Sequence, residues 1–318
     1  MNRPMHGSAD IFEEVVRLRR EGIPAALATI VGTRGSTPGR TSMRLLVLED
    51  GTFLGTVGGG CLEAEVYDQA KEVLADEQPR TLTFRLTEKD SPDSGLMCGG
   101  EVTVFVEPVT TPALWIFGGG HVSKALCQVA AMAGFRVTVA DDRANYCSTE
   151  RFPEAAETRV GEYQDLVAAM PIRANSYCVI VTRGHKEDGV VLAALAQRAA
   201  QGPVVGAVPR FLGMIGSKTK QAILWKHLRA NGVDEAFLAR VRTPMGAWIG
   251  ARSHEEIAVS VVSELIAVRR TGSDLSRTWE QKPKRRAARG VMTVLGLQPG
   301  DEPGAATDGA DDAVAGAG

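Results

Sequence analysis

Residues 113–123 read ALWIFGGGHVS and residues 134–143 read GFRVTVADDR. The first run is an apolar strand, Ala113 to Phe117, that breaks into Gly118, Gly119 and Gly120 before a helical period over 122–133. The second is a buried strand over 135–140 that ends on acids, with Asp141 standing 21 residues beyond Gly120. Strand, glycine turn, helix, strand and terminal acid in that order predict a dinucleotide-type βαβ unit. Glycines let the backbone approach a phosphate, helix-start amides supply donors, and the acid reaches a ribose hydroxyl. Here the pattern is G-x-G-x-x-S, so Ser123 places a hydroxyl where Gly or Ala ordinarily gives close helix–strand packing.

Alternating strand and helix periods continue downstream. Residues 162–170 predict a helix, and 177–181 a strand that delivers Thr182-Arg183-Gly184-His185 to its carboxyl end. Ligands bind outside the carboxyl ends of such strands, which makes Arg183 and His185 candidates for ligand contact. The plainer alternative is a solvated arginine and a helix-start histidine. Asp188 caps or joins a helix reaching about Ala200, and residues 203–208 predict another strand. Gly216-Ser217-Lys218 opens a further helix and offers a second anion-holding start, with Ile223, Leu224 and Leu228 expected on its inner side. Ser253 and Glu256 form a capping box for the last long helix.

Upstream the pattern is mixed. Asp10 and Glu13 predict a capping box for a helix running to Glu21 and ended by Gly22. Strands are expected over 25–31, 43–48 and 53–57, with Asp50-Gly51 as a hairpin turn. Gly58-Gly59-Gly60-Cys61 then joins a strand to a helix over 62–74. A second element, Cys98-Gly99-Gly100, lies between strands over 80–86 and 102–106, 37 residues after Cys61. The two cysteine–glycine elements either converge on one soft-ligand pocket or are independent turns, and spacing leaves both readings open. The chain is therefore read as α/β: an N-terminal mixed α+β domain (1–110), a Rossmann-like α/β domain with a parallel sheet (111–270), and a flexible tail (271–318).

Composition removes several function classes. Lys plus Arg is 36 against 38 Asp plus Glu, so a net charge of −2 lends no support to a nucleic-acid clamp. The basic run Lys282, Lys284, Arg285, Arg286, Arg289 reads as a solvated terminus. Five cysteines without a C-x-x-C pair and five scattered histidines do not support a zinc site. The first twenty residues lack a signal-peptide core, and the apolar run 257–268 is interrupted by Ser260, Ser263 and Glu264, so a cytoplasmic protein without membrane association is expected. Walker, G-x-S-x-G, H-E-x-x-H and kinase patterns are absent.

Taken jointly, Gly58-Gly59-Gly60-Cys61-Leu62-Glu63, Cys98-Gly99-Gly100, Phe117-Gly118-Gly119-Gly120-His121-Val122, Thr182-Arg183-Gly184-His185, Met214-Ile215-Gly216-Ser217-Lys218 and Ile249-Gly250-Ala251-Arg252 resemble the XdhC/CoxI family from the first helix to about Arg270. These are accessory proteins of xanthine dehydrogenase and related molybdenum hydroxylases. The resemblance implies binding of the molybdenum cofactor (molybdopterin or its cytosine dinucleotide form), support of its sulfuration with sulfur from a cysteine desulfurase, and delivery to an apo-hydroxylase such as xanthine dehydrogenase. It implies a maturation chaperone more than a catalyst, with a homodimer plausible. On this resemblance Cys61 and Cys98 touch molybdenum, relay sulfur or shape the pocket, with Gly59, Gly60 and Gly99 beside them. Gly118, Gly120, His121, Asp141, Arg183, His185 and Ser217 surround the phosphate or nucleotide portion. Two alternatives stay open: a nicotinamide-dependent oxidoreductase and an assembly factor that binds no cofactor.

Overall fold

A computed structural model of the chain describes residues 3–4, 10–86, 99–109, 111–173, 175–201, 208–273 and 275. Its first lobe is a six-stranded mixed sheet. The strands are β1 (Arg3–Pro4), β2 (Ala25–Arg34), β3 (Arg44–Leu48), β4 (Thr52–Gly55), β5 (Arg80–Arg85) and β6 (Glu101–Pro108), in the order β1-β4-β3-β2-β6-β5. All neighbours are antiparallel except β1 and β4. Alternation along β2 decides the layering: Ala25 and Leu27 face helix α1 (Ile11–Glu21), while Ala26, Ala28 and Ile30 face helix α2 (Gly60–Asp76). The sheet is thus covered on both sides, with Leu18 of α1 and Leu62, Val66 and Val73 of α2 fully buried.

Several boundaries differ from the sequence reading for identifiable reasons. Strand β2 runs past Val31 to Arg34 because a bulge between Ile30 and Gly32 lets it continue its pairing with β6. Helix α2 begins at Gly60, which brings Cys61 inside its first turn. Asp10 does cap α1, accepting from the Phe12 amide at 2.7 Å, and Gly22 ends it with a left-handed φ of 68°.

The second lobe is a six-stranded, wholly parallel sheet: β7 (Ala113–Phe117), β8 (Arg136–Asp141), β9 (Glu157–Val160), β10 (Ser176–Ile180), β11 (Phe211–Met214) and β12 (Val241–Arg242). Their order, β12-β11-β10-β7-β8-β9, is that of a Rossmann fold, with the reversal between β7 and β10. Helices α3 (His121–Met132) and α8 (His254–Thr271) cover one face. Helices α4 (Tyr163–Ala169), α5 (His185–Ala200), α6 (Lys218–Ala230) and α7 (Glu235–Leu238) cover the other.

The strand expected over 203–208 falls largely on 202–207, outside the described residues. Strand β11 includes Gly213 and Met214. Ile223 is a correction. Leu224 and Leu228 are buried, but Ile223, one residue round the helix, is 62% exposed.

The two lobes meet at one edge of the parallel sheet. Arg136, opening β8, donates to the Arg20 carbonyl at 3.2 Å. Arg173, ahead of β10, pairs with Glu49 at 3.3 Å. Tyr177, the second residue of β10, donates to Glu77 at 3.2 Å, and Arg210, just before β11, pairs with the same carboxylate at 3.4 Å. Gln78 donates to the Arg269 carbonyl near the end of α8 at 3.1 Å. Each contact lies at the amino ends of the strands, and the carboxyl termini of both α1 and α2 take part. The lobes therefore stack end to end. Glu77 sits buried at the centre of this contact with a left-handed φ of 56°.

Removing the Tyr177 hydroxyl (Tyr177→Phe) is expected to lower unfolding free energy by about 1 kcal/mol. Glu77→Ala, which strands both Tyr177 and Arg210, should cost about 2 kcal/mol. Urea denaturation followed by circular dichroism measures both; equal stability of all three proteins would remove Glu77 from its role as the inter-lobe anchor.

Candidate functional site

At the strand reversal the backbone leaves no room for side chains. A Cβ on Gly118 would strike the Val181 carbonyl, and Gly118 itself takes φ 110°, so only glycine satisfies both demands. A Cβ on Gly119 would strike the Tyr146 carbonyl. Gly120, by contrast, faces open space with nothing within 4 Å of such an atom. The turn is thus packed against protein at its first two residues and open at its third.

Asp141 holds this turn. It is wholly buried, accepts from the Gly119 amide at 2.6 Å, and receives the Arg143 amide at 2.9 Å and its guanidinium at 2.9 and 3.0 Å. Burial pushes its carboxyl up, but Arg143 and the two amides outweigh burial and hold it below the ordinary carboxylate range. Arg151 takes the Gly119 carbonyl at 3.0 Å, and Arg143 lies over the Tyr146 ring at 3.9 Å. Asp141 therefore reaches the glycine turn as its internal support, with its oxygens already engaged. The more exposed acid at this strand end is Asp142, paired bidentately with Arg183 at 2.8 and 3.1 Å. Since β8 and β10 flank β7, that ion pair crosses the end of β7 beside the glycine turn.

Other nominated residues divide by how their helices begin. Ser217 caps its own helix, accepting from the Lys220 amide at 3.2 Å, and Ser253 with Glu256 closes a reciprocal box on α8. Helices α2, α3 and α5 begin after Gly59, Gly120 and Gly184, with no side-chain cap. Their amino-terminal amides are the ones left for an external anion. Ser123, in the first turn of α3, is fully buried with no hydrogen-bond partner for its Oγ among the described residues. His121 is exposed there and stacks on His254 with ring centroids 5.4 Å apart. His185 lines the mouth of a cavity of about 990 Å³ between α4, α5 and α6. Behind the crevice, buried Asp188 accepts from Thr182 at 2.6 Å and pairs with Lys220.

A second cluster occupies the far pole of the first lobe. Glu63, one turn into α2, accepts from the Thr56 hydroxyl at 2.5 Å and the Val57 amide at 3.3 Å, which fixes the chain entering the Gly58–Gly60 triplet. Gly58, at φ 115°, lies directly against Pro38 and Gly39. Gly100 lies against the Arg34 and Ser36 carbonyls of the same loop. Gly58 and Gly100 thus pack on opposite ends of one loop, residues 34–39. Gly59, Gly60 and Gly99 are open, with nothing within 4 Å of an added Cβ. Cys98 lies outside the described residues. Cys61 is partly exposed, whereas Cys127, Cys147 and Cys178 are buried. Burial pushes the Cys127 thiol up to about 12, and raises Cys147 and Cys178 as well.

The nominated residues therefore form two sites, not one. Cys61, Gly59, Gly60 and Gly99 lie at the pole remote from the lobe contact, while Gly118, Gly120, His121, Asp141, Arg183 and Ser217 lie at the carboxyl edge of the parallel sheet. Between them stand the length of α2, about 25 Å for 17 residues, and of β7, about 17 Å for five. Sequence reasoning missed Arg143, Arg151 and Tyr146 as clamps of the glycine turn, and His254 as the neighbour of His121. Only the folding of α8 against α3 brings the two histidines together. No group of three or more His, Cys, Asp or Glu side chains suited to a metal ion occurs among the described residues. Nor, among these, is any helix long and apolar enough to cross a membrane.

Comparison with known proteins agrees with this architecture. A family model described as the XdhC Rossmann domain matches residues 114–265, and one described as the XdhC and CoxI family matches residues 18–85. Escherichia coli (strain K12) YqeB is 33% identical over 82% of this chain, which spans only 46% of that protein. A Bacillus subtilis (strain 168) protein described as a probable subunit of xanthine dehydrogenase is 23% identical over 77% of this chain and 93% of its own length. The E. coli molybdenum cofactor insertion chaperone PaoD is 22% identical over 81% and 88%. A crystal structure described as a xanthine dehydrogenase from Bacillus halodurans aligns over 84% of this chain and 98% of that one, at 24% identity and a TM-score of 0.44.

Two outcomes follow from the geometry. Asp141→Asn should cost about 2 kcal/mol at neutral pH. A carboxylate held below its ordinary pKa contributes stability above the unfolded value and loses it on acidification, so the deficit should shrink below about pH 4. Unfolding at pH 7 and pH 3 measures it. In a Cys98→Ser background, iodoacetamide should alkylate Cys61 first, with Cys127, Cys147 and Cys178 protected until unfolding; peptide mass mapping reads the order.

Proposed function

The chain belongs to the XdhC and CoxI family, and on that premise we propose that it is an accessory protein in the maturation of a molybdenum hydroxylase, holding the molybdenum cofactor, supporting its sulfuration and delivering it to an apo-hydroxylase of the xanthine dehydrogenase type. The names carried by its relatives, a molybdenum cofactor insertion chaperone and a probable subunit of xanthine dehydrogenase, support this reading. The observation that carries it is a pairing of donor types: an accessible thiol at one uncapped, glycine-opened helix start, and an orphan buried hydroxyl at another.

When bound, the cofactor supplies a dithiolene-held metal with an exchangeable oxo or sulfido ligand at one end and a phosphate at the other. The residues present suit both ends. Gly120 leaves room for a phosphate, which the amino-terminal amides of α3 would hold, and the buried Ser123 hydroxyl in the same first turn has no partner among the described residues. Gly59, Gly60 and Gly99 leave an open cradle around Cys61, whose sulfur is the soft donor. The Arg183–Asp142 pair lies beside the glycine turn. Sulfur brought by a cysteine desulfurase would reach the thiol pole from solvent, because Cys61 is not enclosed.

A nicotinamide dinucleotide is the competing ligand, since the strand order suits one. It leaves Cys61 without a task, and the acid its ribose would need, Asp141, is buried with both oxygens engaged.

Anaerobic titration with molybdenum cofactor, as molybdopterin and as the cytosine dinucleotide form, tests the proposal by calorimetry. Wild type should bind stoichiometrically, with Cys61→Ser and Gly120→Asp at least tenfold weaker, a loss of about 1.4 kcal/mol each. Folded wild type that binds neither form, but does bind a nicotinamide dinucleotide, would overturn it.

A further inference from the structure

The thiol pole and the glycine crevice each look half-built for one ligand, and a single chain holds them apart. Every lobe-to-lobe contact described above is at the amino edge of the parallel sheet, whereas the crevice is at its carboxyl edge. Helix α2 carries Cys61 at the end remote from that contact, and α2 packs on β2, β3 and β6 of its own lobe. Helices on both faces of the first sheet butt against the second lobe, so the chain does not fold back to bring its poles together. A ligand gripped by Cys61 and by the α3 amino terminus therefore cannot take both contacts from one chain.

We infer that the cofactor-binding site is composite, with Cys61 of one copy facing the Gly118–His121 turn of a second copy. The inference rests on the cofactor-carrier reading and states how that reading is met sterically. A twofold axis across the long dimension of the chain sets each thiol pole against the partner's crevice, so two composite sites form and the assembly closes as a pair.

The surfaces of both poles suit such a contact. Phe12, at the start of α1, and Val31 are exposed large apolar residues at the thiol pole. Tyr146 and Ile249 are their counterparts around the crevice, in the loops that follow β8 and precede α8. Open glycines lie on both sides: Gly59, Gly60 and Gly99 on one, Gly120 and Gly250 on the other. Exposed cationic or histidine side chains ring both poles, Arg34 and Arg40 at the first and His121, Arg252 and His254 at the second. A ligand held by both copies favours the pair over the separate chains, so pairing is coupled to ligand binding.

Subunit mixing tests this directly, using the full chain. Cys61→Ser and Gly120→Asp each spoil one half of the composite site. Position 120 has φ −72° and open space around it, so the aspartate introduces charge without backbone strain. Each variant alone should bind molybdenum cofactor at least tenfold more weakly than wild type. An equimolar mixture should regain up to about half of the wild-type high-affinity sites, because cofactor draws the chains into mixed pairs and each mixed pair has one intact site of two. Sedimentation velocity should show wild type shifting to a dimer as cofactor is added. If wild type binds and the mixture regains nothing, or if wild type binds as a monomer, the composite site is wrong while the carrier reading survives. Failure of folded wild type to bind sinks both.

Discussion

The carboxylate of Asp141 has no contact with solvent, yet it remains charged, because Arg143 and two backbone amides together outweigh the cost of burying it. The geometry of the crevice depends on that balance. One of those amides belongs to Gly119, so the charge fixes the turn in which Gly118 passes against Val181 and Gly120 opens outward. With Arg151 pulling on the Gly119 carbonyl and Tyr146 behind it, the turn is held from three sides. A loop so restrained can present helix-start amides to a ligand without first being ordered by it.

The polarity of the parallel sheet has the second large consequence. Parallel strands give a sheet two chemically different edges, and the first lobe occupies the amino edge through Glu77, Tyr177 and Arg210. The ligand edge is left clear. The same arrangement makes α2 a rod whose carboxyl end is anchored at the lobe contact and whose amino end carries Cys61 away from it. Two glycine-rich, uncapped helix starts that look equivalent in sequence thus end up at opposite poles.

Local periodicity and turn chemistry made much of the fold legible. The strand over 113–117 has the expected bounds, and the Ser253–Glu256 box is present with both of its hydrogen bonds. Where reading failed, a tertiary contact decided. A bulge extends β2 past Val31 to Arg34. Ile223 faces outward because only one side of α6 meets the sheet.

By itself the sequence determined the α/β class, the Rossmann unit, and which glycines and cysteines deserved attention, since each of these is written in spacings of a few residues. It could not show that Gly58 and Gly100 pack against one loop, residues 34–39, which the tertiary structure brings between them. It could not show that Asp141 accepts from the glycine turn and from Arg143, which the tertiary structure brings to it. Nor could it reveal that Cys61 and the glycine turn lie at opposite poles. That separation depends on which sheet edge meets the other lobe, and it follows from contacts such as Tyr177 to Glu77, 100 residues apart along the chain, that no local pattern encodes.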